Sequence, residues 1–203
     1  DLHSFPTRRS SDLYDKEGTF IKKYVKAPND SVKFTRISTD GSGRLLVTSS
    51  PRDCCDEPED EVQSCILVYS PDRRFLFSFG KDKLACPQDV VYHHGKFFVT
   101  DGDLECIMVF DSNGKFLLDF GNRDLLDPVG ITADVINNVI LVCDCSGNSI
   151  VAFKPDGEMI SRIETAEEPA HVVLSACGAS LVVCFNKSLF FQILSHKKNE
   201  QTA

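Results

Sequence analysis

Pro87, Pro128 and Pro169 stand 41 residues apart, and behind each of them the chain repeats one order of apolar runs and turns. After Pro87 come the runs 89–92, 96–101, 106–110 and 116–121, with a tight turn at His93-His94-Gly95 and a hairpin at Asp111-Ser112-Asn113-Gly114. After Pro128 the order returns as 129–132, 139–144, 150–153 and 159–163, with Pro155-Asp156-Gly157 in the hairpin. Asn-Gly and Asp-Gly supply the positive φ angles that a tight strand–strand turn requires. A unit of about 40 residues holding four short strands is the signature of a β-propeller blade and not of a helical repeat.

The same grammar extends in both directions. Upstream, strands are expected at 34–39, 43–48, 65–69 and 75–80, and downstream at 170–175, 180–185 and 189–194. Earlier still, Tyr14-Asp15-Lys16-Glu17-Gly18 matches Phe110-Asp111-Ser112-Asn113-Gly114 position by position. The expected organisation is a terminal hairpin at 14–24 and a blade at 25–80 with an acidic insertion at 50–64. Blades at 81–121 and 122–164 follow, then a last blade at 165–194 that lacks its outer strand, and a tail at 195–203. Residues 3–13 fit no position of the repeat and match an in-frame translation of a common sequencing adapter, so residues 1–13 are expected to be disordered and to contribute nothing to the fold.

These units resemble NHL repeats. The resemblance rests on Pro128-Val129-Gly130-Ile131, Val142-Cys143-Asp144, Gly147-Asn148-Ser149-Ile150 and the closing pairs Phe79-Gly80 and Phe120-Gly121, and it covers nearly everything from Tyr14 to Leu194. It implies an all-β fold: a partial, open propeller of about four NHL blades, each a four-stranded antiparallel sheet, where the family usually closes six. It also implies a C-terminal piece of a TRIM-NHL or RING-finger NHL protein. In such proteins a RING recruits a ubiquitin-conjugating enzyme while the propeller selects the substrate. On that reading the chain is a protein-interaction module and not itself an enzyme, and zinc belongs only to a RING and B-box upstream. The alternatives are an RNA-binding module in post-transcriptional repression and a scaffold with no ligase. Expected partners are protein substrates or adaptors, with RNA as the second class and self-association through an upstream coiled coil or exposed blade edges.

Nothing in the residues assembles a nucleophile, a base and an oxyanion donor, and no phosphate-binding glycine loop is present. No apolar run is long enough to cross a bilayer, so no membrane is expected as a partner. Nine cysteines are an odd number, and Cys106, Cys143, Cys177 and Cys184 sit among aliphatic residues as small hydrophobes would. That usage favours a reducing, intracellular and cytoplasmic setting over a disulfide framework. Cys54-Cys55 and Cys143-x-Cys145 lack the second pair that a zinc site needs.

Strand parity places the loop between a blade's second and third strands on the same face as the linker between blades, with the tight turns on the other. Two unusual segments share the first face. The insertion carries Asp53, Asp56, Glu57, Glu59, Asp60 and Glu61 against one arginine, and so supplies −5 of the formal net charge of −8. It reads either as a solvated loop or as an acidic docking loop. Lys22, Lys23, Lys26, Lys33 and Arg36 surround the start of the first full blade, and read either as a solvated basic stretch or as a partner or RNA contact. His93-His94 is expected to be surface turn chemistry, and Asp101 and Asp144 to be structural acceptors of N–H groups in the following loop.

Overall fold

The structure, a computed structural model, describes residues 10–14, 17, 19–26, 32–51, 63–175, 180–187 and 191–195. Strands β1 (Ser10–Tyr14) and β2 (Phe20–Lys26) pair as a two-stranded sheet. A four-stranded antiparallel sheet follows: β3 (Val32–Thr39), β4 (Leu45–Pro51), β5 (Cys65–Tyr69) and β6 (Phe75–Phe79). The next holds β7 (Pro87–His93), β8 (Lys96–Asp101), β9 (Cys106–Asp111) and β10 (Phe116–Phe120). The third holds β11 (Pro128–Asp134), β12 (Val139–Asp144), β13 (Ser149–Phe153) and β14 (Met159–Glu164). Strands β15 (Pro169–Leu174), β16 (Ser180–Phe185) and β17 (Phe191–Ser195) form a three-stranded sheet. From β3 onward each sheet packs on the next through its innermost strand, β3 on β7, β7 on β11 and β11 on β15, in an open propeller arc.

Period-2 alternation explains the packing. Successive residues of a strand face opposite sides, so an inner blade whose strands are apolar on both sides must be covered on both. In β8, Phe97 and Val99 enter the core shared with the preceding blade, beside Leu46, Ile66 and Val68, whereas Phe98 enters the core shared with the following one, beside Ile140 and Val142. In β9, Cys106, Met108 and Phe110 face back while Ile107 and Val109 face forward. A third core joins Leu141, Cys143 and Ile150 to Val172 and Val183. The outermost strand meets fewer neighbours, and every residue of β14 is exposed.

The hairpin glycines couple one blade to the next. Gly114 and Gly157 hold φ angles of 81° and 99°, and each lies against the closing phenylalanine of the preceding blade. A Cβ at Gly114 would stand 2.4 Å from Cβ of Phe79, and one at Gly157 would stand 2.9 Å from Cβ of Phe120. Both the backbone angle and the space therefore demand glycine.

Residues 10–13 differ from their expectation. They form a strand with Tyr14 against β2, because backbone pairing asks for N–H and C=O groups and little of side-chain identity. The pairing has two register breaks, between Ser11 and Asp12 and between Leu13 and Tyr14. Residues 1–9 lie outside the described residues.

Gly114→Ala should lower the unfolding free energy by more than about 1 kcal/mol, measured by urea denaturation. Gly41→Ala, where nothing stands within 4 Å of the new Cβ, should stay within about 0.5 kcal/mol of the parent.

Candidate functional site

Two regions gather chemistry: the face that carries the inter-blade linkers, and the channel wall formed by the innermost strands. On the linker face the organising groups are carboxylates at the ends of second strands. Asp101, fully buried, closes β8 and accepts N–H bonds from Ala85 at 2.8 Å, Cys86 at 2.9 Å and Leu104 at 3.3 Å. Asp144, equally buried, accepts from Leu126 at 3.0 Å and Asp127 at 2.9 Å and pairs with Arg162 at 3.2 Å. Both are structural as expected, but their main partners are the linker that leads into their own blade; only Leu104 belongs to the following loop. Burial pushes the Asp101 carboxyl above the usual carboxylate range, opposed by the N–H bonds from Cys86, Ala85 and Leu104.

Loop and linker are tied a second time by backbone bonds, Gly102 N to Cys86 O and Cys145 N to Asp127 O. On these clamped segments Leu104 and Leu126 point outward, 41% and 61% exposed. Asp103 and Glu105 flank Leu104 and Asp124 and Asp127 lie beside Leu126 in the chain, while the same linkers expose Lys81, Lys83 and Arg123. Lys187 and Arg162 are engaged by Glu168 and Asp144.

The channel wall holds one position of the repeat three times over, as Asp89, Gly130 and His171, each 41 residues from the next. Asp89 is buried in β7; its Oδ1 accepts from Val90 N at 2.8 Å and its Oδ2 from Ile131 N at 3.3 Å. Oδ2 also lies 3.5 Å from Nδ1 of His171, which is long for a hydrogen bond and leaves that buried nitrogen with no close partner. The intervening Gly130 makes the meeting possible, since a Cβ there would stand 2.7 Å from Ala170 O and 3.1 Å from His171 Nδ1. From β3, Arg36 reaches over to β15, where its Nη2 donates to Ala170 O at 3.2 Å. These side chains, with Ser38, Thr39 and Thr132, line a cavity of about 420 Å³.

Of the residues singled out in the sequence, Lys22, Lys23 and Lys26 lie in β2 and Lys33 in β3, with their side chains outside the described residues. Arg36, grouped with them by charge, is turned into the channel. Asp53, Asp56, Glu57, Glu59, Asp60 and Glu61 all lie outside the described residues, as do Cys54, Cys55 and Cys177. His93 is not surface chemistry: it is buried, with Nε2 2.8 Å from Oδ1 of Asn138 in the next blade, while His94 is exposed at a φ of 46°. A turn residue has two neighbours in a propeller, its own blade and the adjacent one, and the second is invisible in local sequence. Burial pushes the Cys106 thiol up to about 12 and that of Cys143 higher, so both stay protonated. Cys65, Cys86, Cys106, Cys143, Cys145 and Cys184 are free thiols, and no cluster of three metal-ligating side chains occurs among the described residues. The Asp89–His171 pair was missed because each residue alone is unremarkable; superposing the three blades at the 41-residue period would have exposed a polar, small, polar column.

No known protein family and no curated protein matches the sequence. Solved structures do match. A luciferin-regenerating enzyme superposes with a TM-score of 0.70 at 14% identity, over 94% of this chain and 71% of that one. A chain of a nidogen/laminin complex gives 0.69 at 16% identity, over 89% and 68%. A gluconolactonase from Xanthomonas campestris gives 0.68 at 16% identity, over 87% and 62%. These likenesses establish the propeller fold. They also correct the expectation that the chain is not an enzyme: two of the three are named enzymes on this fold. The physical reason is that a propeller builds sites from single residues one repeat apart, so a missing contiguous motif says nothing against catalysis.

Asp101→Asn places an amide N–H against backbone donors and should lower the unfolding free energy by about 1–3 kcal/mol in urea. An unchanged midpoint would show that the linker N–H groups do not depend on that carboxylate.

Proposed function

We propose that this chain is the partner-recognition propeller of a larger protein, of the kind that RING-type ubiquitin ligases with NHL blades use to select substrates, and that it binds a protein on the linker face. The observation that carries the reading is the pair Leu104 and Leu126, exposed on segments that Asp101 and Asp144 hold rigid. An apolar contact presented at low ordering cost, with Asp103 and Glu105 beside Leu104 and Asp127 beside Leu126, suits a protein partner bearing basic side chains next to an apolar anchor. The NHL-like stretches Asn148-Ser149-Ile150 and Phe79-Gly80 support the ligase setting, and the nidogen/laminin neighbour shows the fold within a protein complex.

The RNA-binding alternative draws less support. Phosphate recognition needs a positive surface, and on the linker face Lys81, Lys83 and Arg123 are interspersed with Asp82, Asp103, Glu105, Asp124, Asp127 and Glu167, while Arg36 spends a donor on Ala170 inside the channel.

In cells carrying the full-length protein, Leu104→Glu with Leu126→Glu should reduce cross-linked protein partners at least tenfold while leaving the urea midpoint unchanged. Cross-links in the parent should fall on Lys81 and Lys83 of the linker face. Cross-links concentrated on Lys96 and Lys154 of the opposite face, or binding of single-stranded RNA with a steep salt dependence, would overturn the reading.

A further inference from the structure

The channel site is independent of the linker face. We propose that the cavity between β3, β7, β11 and β15 binds a small organic monoanion, a carboxylate, held by the Arg36 guanidinium and by Nε2 of His171. Three observations converge. Arg36 commits one Nη2 donor to Ala170 O, which fixes the guanidinium beside His171 and leaves its other donors toward the cavity. Asp89 lies behind the imidazole on its Nδ1 side, 3.5 Å away, so the ring's other nitrogen is the one left to the cavity. Gly130 gives up its side chain to let the two approach.

The charge of the site selects the ligand class. Arg36 supplies one positive charge and Asp89 one negative, so a carboxylate that binds together with one proton on Nε2 of His171 leaves the site neutral. A dianion would leave a surplus negative charge close to Asp89. The cavity of about 420 Å³ lies in the range that holds a small ligand. Its remaining polar lining, Ser38, Thr39 and Thr132, is neutral.

A second feature follows from the imidazole. The charged groups that face it are Asp89 from β7 and Arg36 from β3; Gly130, Ile131 and Thr132 of β11 bring none, and the thiols of Cys143 in β12 and Cys184 in β16 are the other titratable groups nearby. Carboxylate binding should therefore take up a proton, an uptake that His171→Gln abolishes.

The test is a titration of the 203-residue chain with sodium acetate, read by the ring nitrogen and proton shifts of its five histidines, with sodium chloride holding ionic strength. His171→Gln assigns the signal. The expected result is a saturable shift of the His171 ring, with affinity at least tenfold weaker in Arg36→Met and without proton uptake in His171→Gln when that variant is followed by calorimetry. Arg36→Lys, which keeps the charge and loses the planar fork, should fall between parent and Arg36→Met, and serves if the methionine variant does not fold. A shift that grows linearly without saturation, equal affinity in parent and Arg36→Met, or tighter binding of inorganic phosphate than of acetate would each overturn the proposal.

Discussion

A β-sheet that is apolar on both faces has no stable existence by itself, and this constraint governs the whole molecule. In β8 and β9 neighbouring residues go to different cores, so the blade from Pro87 to Phe120 is held only by having one sheet before it and another behind it. The coupling is reinforced at the rim. The hairpin glycines Gly114 and Gly157 fit onto Phe79 and Phe120 of the preceding blade, and Thr100 in β8 donates its hydroxyl to Val129 O in β11 at 2.6 Å. Stability in such an arc is shared between neighbours and does not reside in any one sheet.

On that apolar frame the buried carboxylates accept backbone N–H groups. Asp101 and Asp144 sit fully buried, yet each is surrounded by backbone donors and so repays its desolvation in part by ordering the linker that enters its blade. The blades on either side do without this device, since Ser49 and Phe185 occupy the corresponding positions of β4 and β16. Asp89 differs from both. Its oxygens also accept backbone N–H groups, from Val90 and Ile131, but they face an imidazole nitrogen that has no close partner of its own.

Much of the fold was legible because strand periodicity and turn chemistry are local. The runs 96–101 and 180–185 coincide with β8 and β16, and the positive φ of Gly114 and Gly157 follows from their hairpins. What local pattern missed had a partner outside its own blade. His93 looked like a surface turn and proved to be buried against Asn138; residues 10–13 looked foreign to the repeat and pair with β2. The absence of a catalytic motif was misread for the same reason, since a propeller collects site residues across repeats.

The sequence by itself determined the repeat: the prolines at 41-residue intervals, the strand order within each unit and the glycines that turn its hairpins, because each depends on residues a few positions apart. Only the tertiary structure decided that Arg36 crosses to Ala170, 134 residues away, and that Asp89 meets His171 over Gly130. Those meetings depend on how far each blade rotates relative to the last. That rotation is set by side-chain packing summed over the inter-blade cores, three of them between Arg36 and Ala170, a quantity that no single stretch of chain contains.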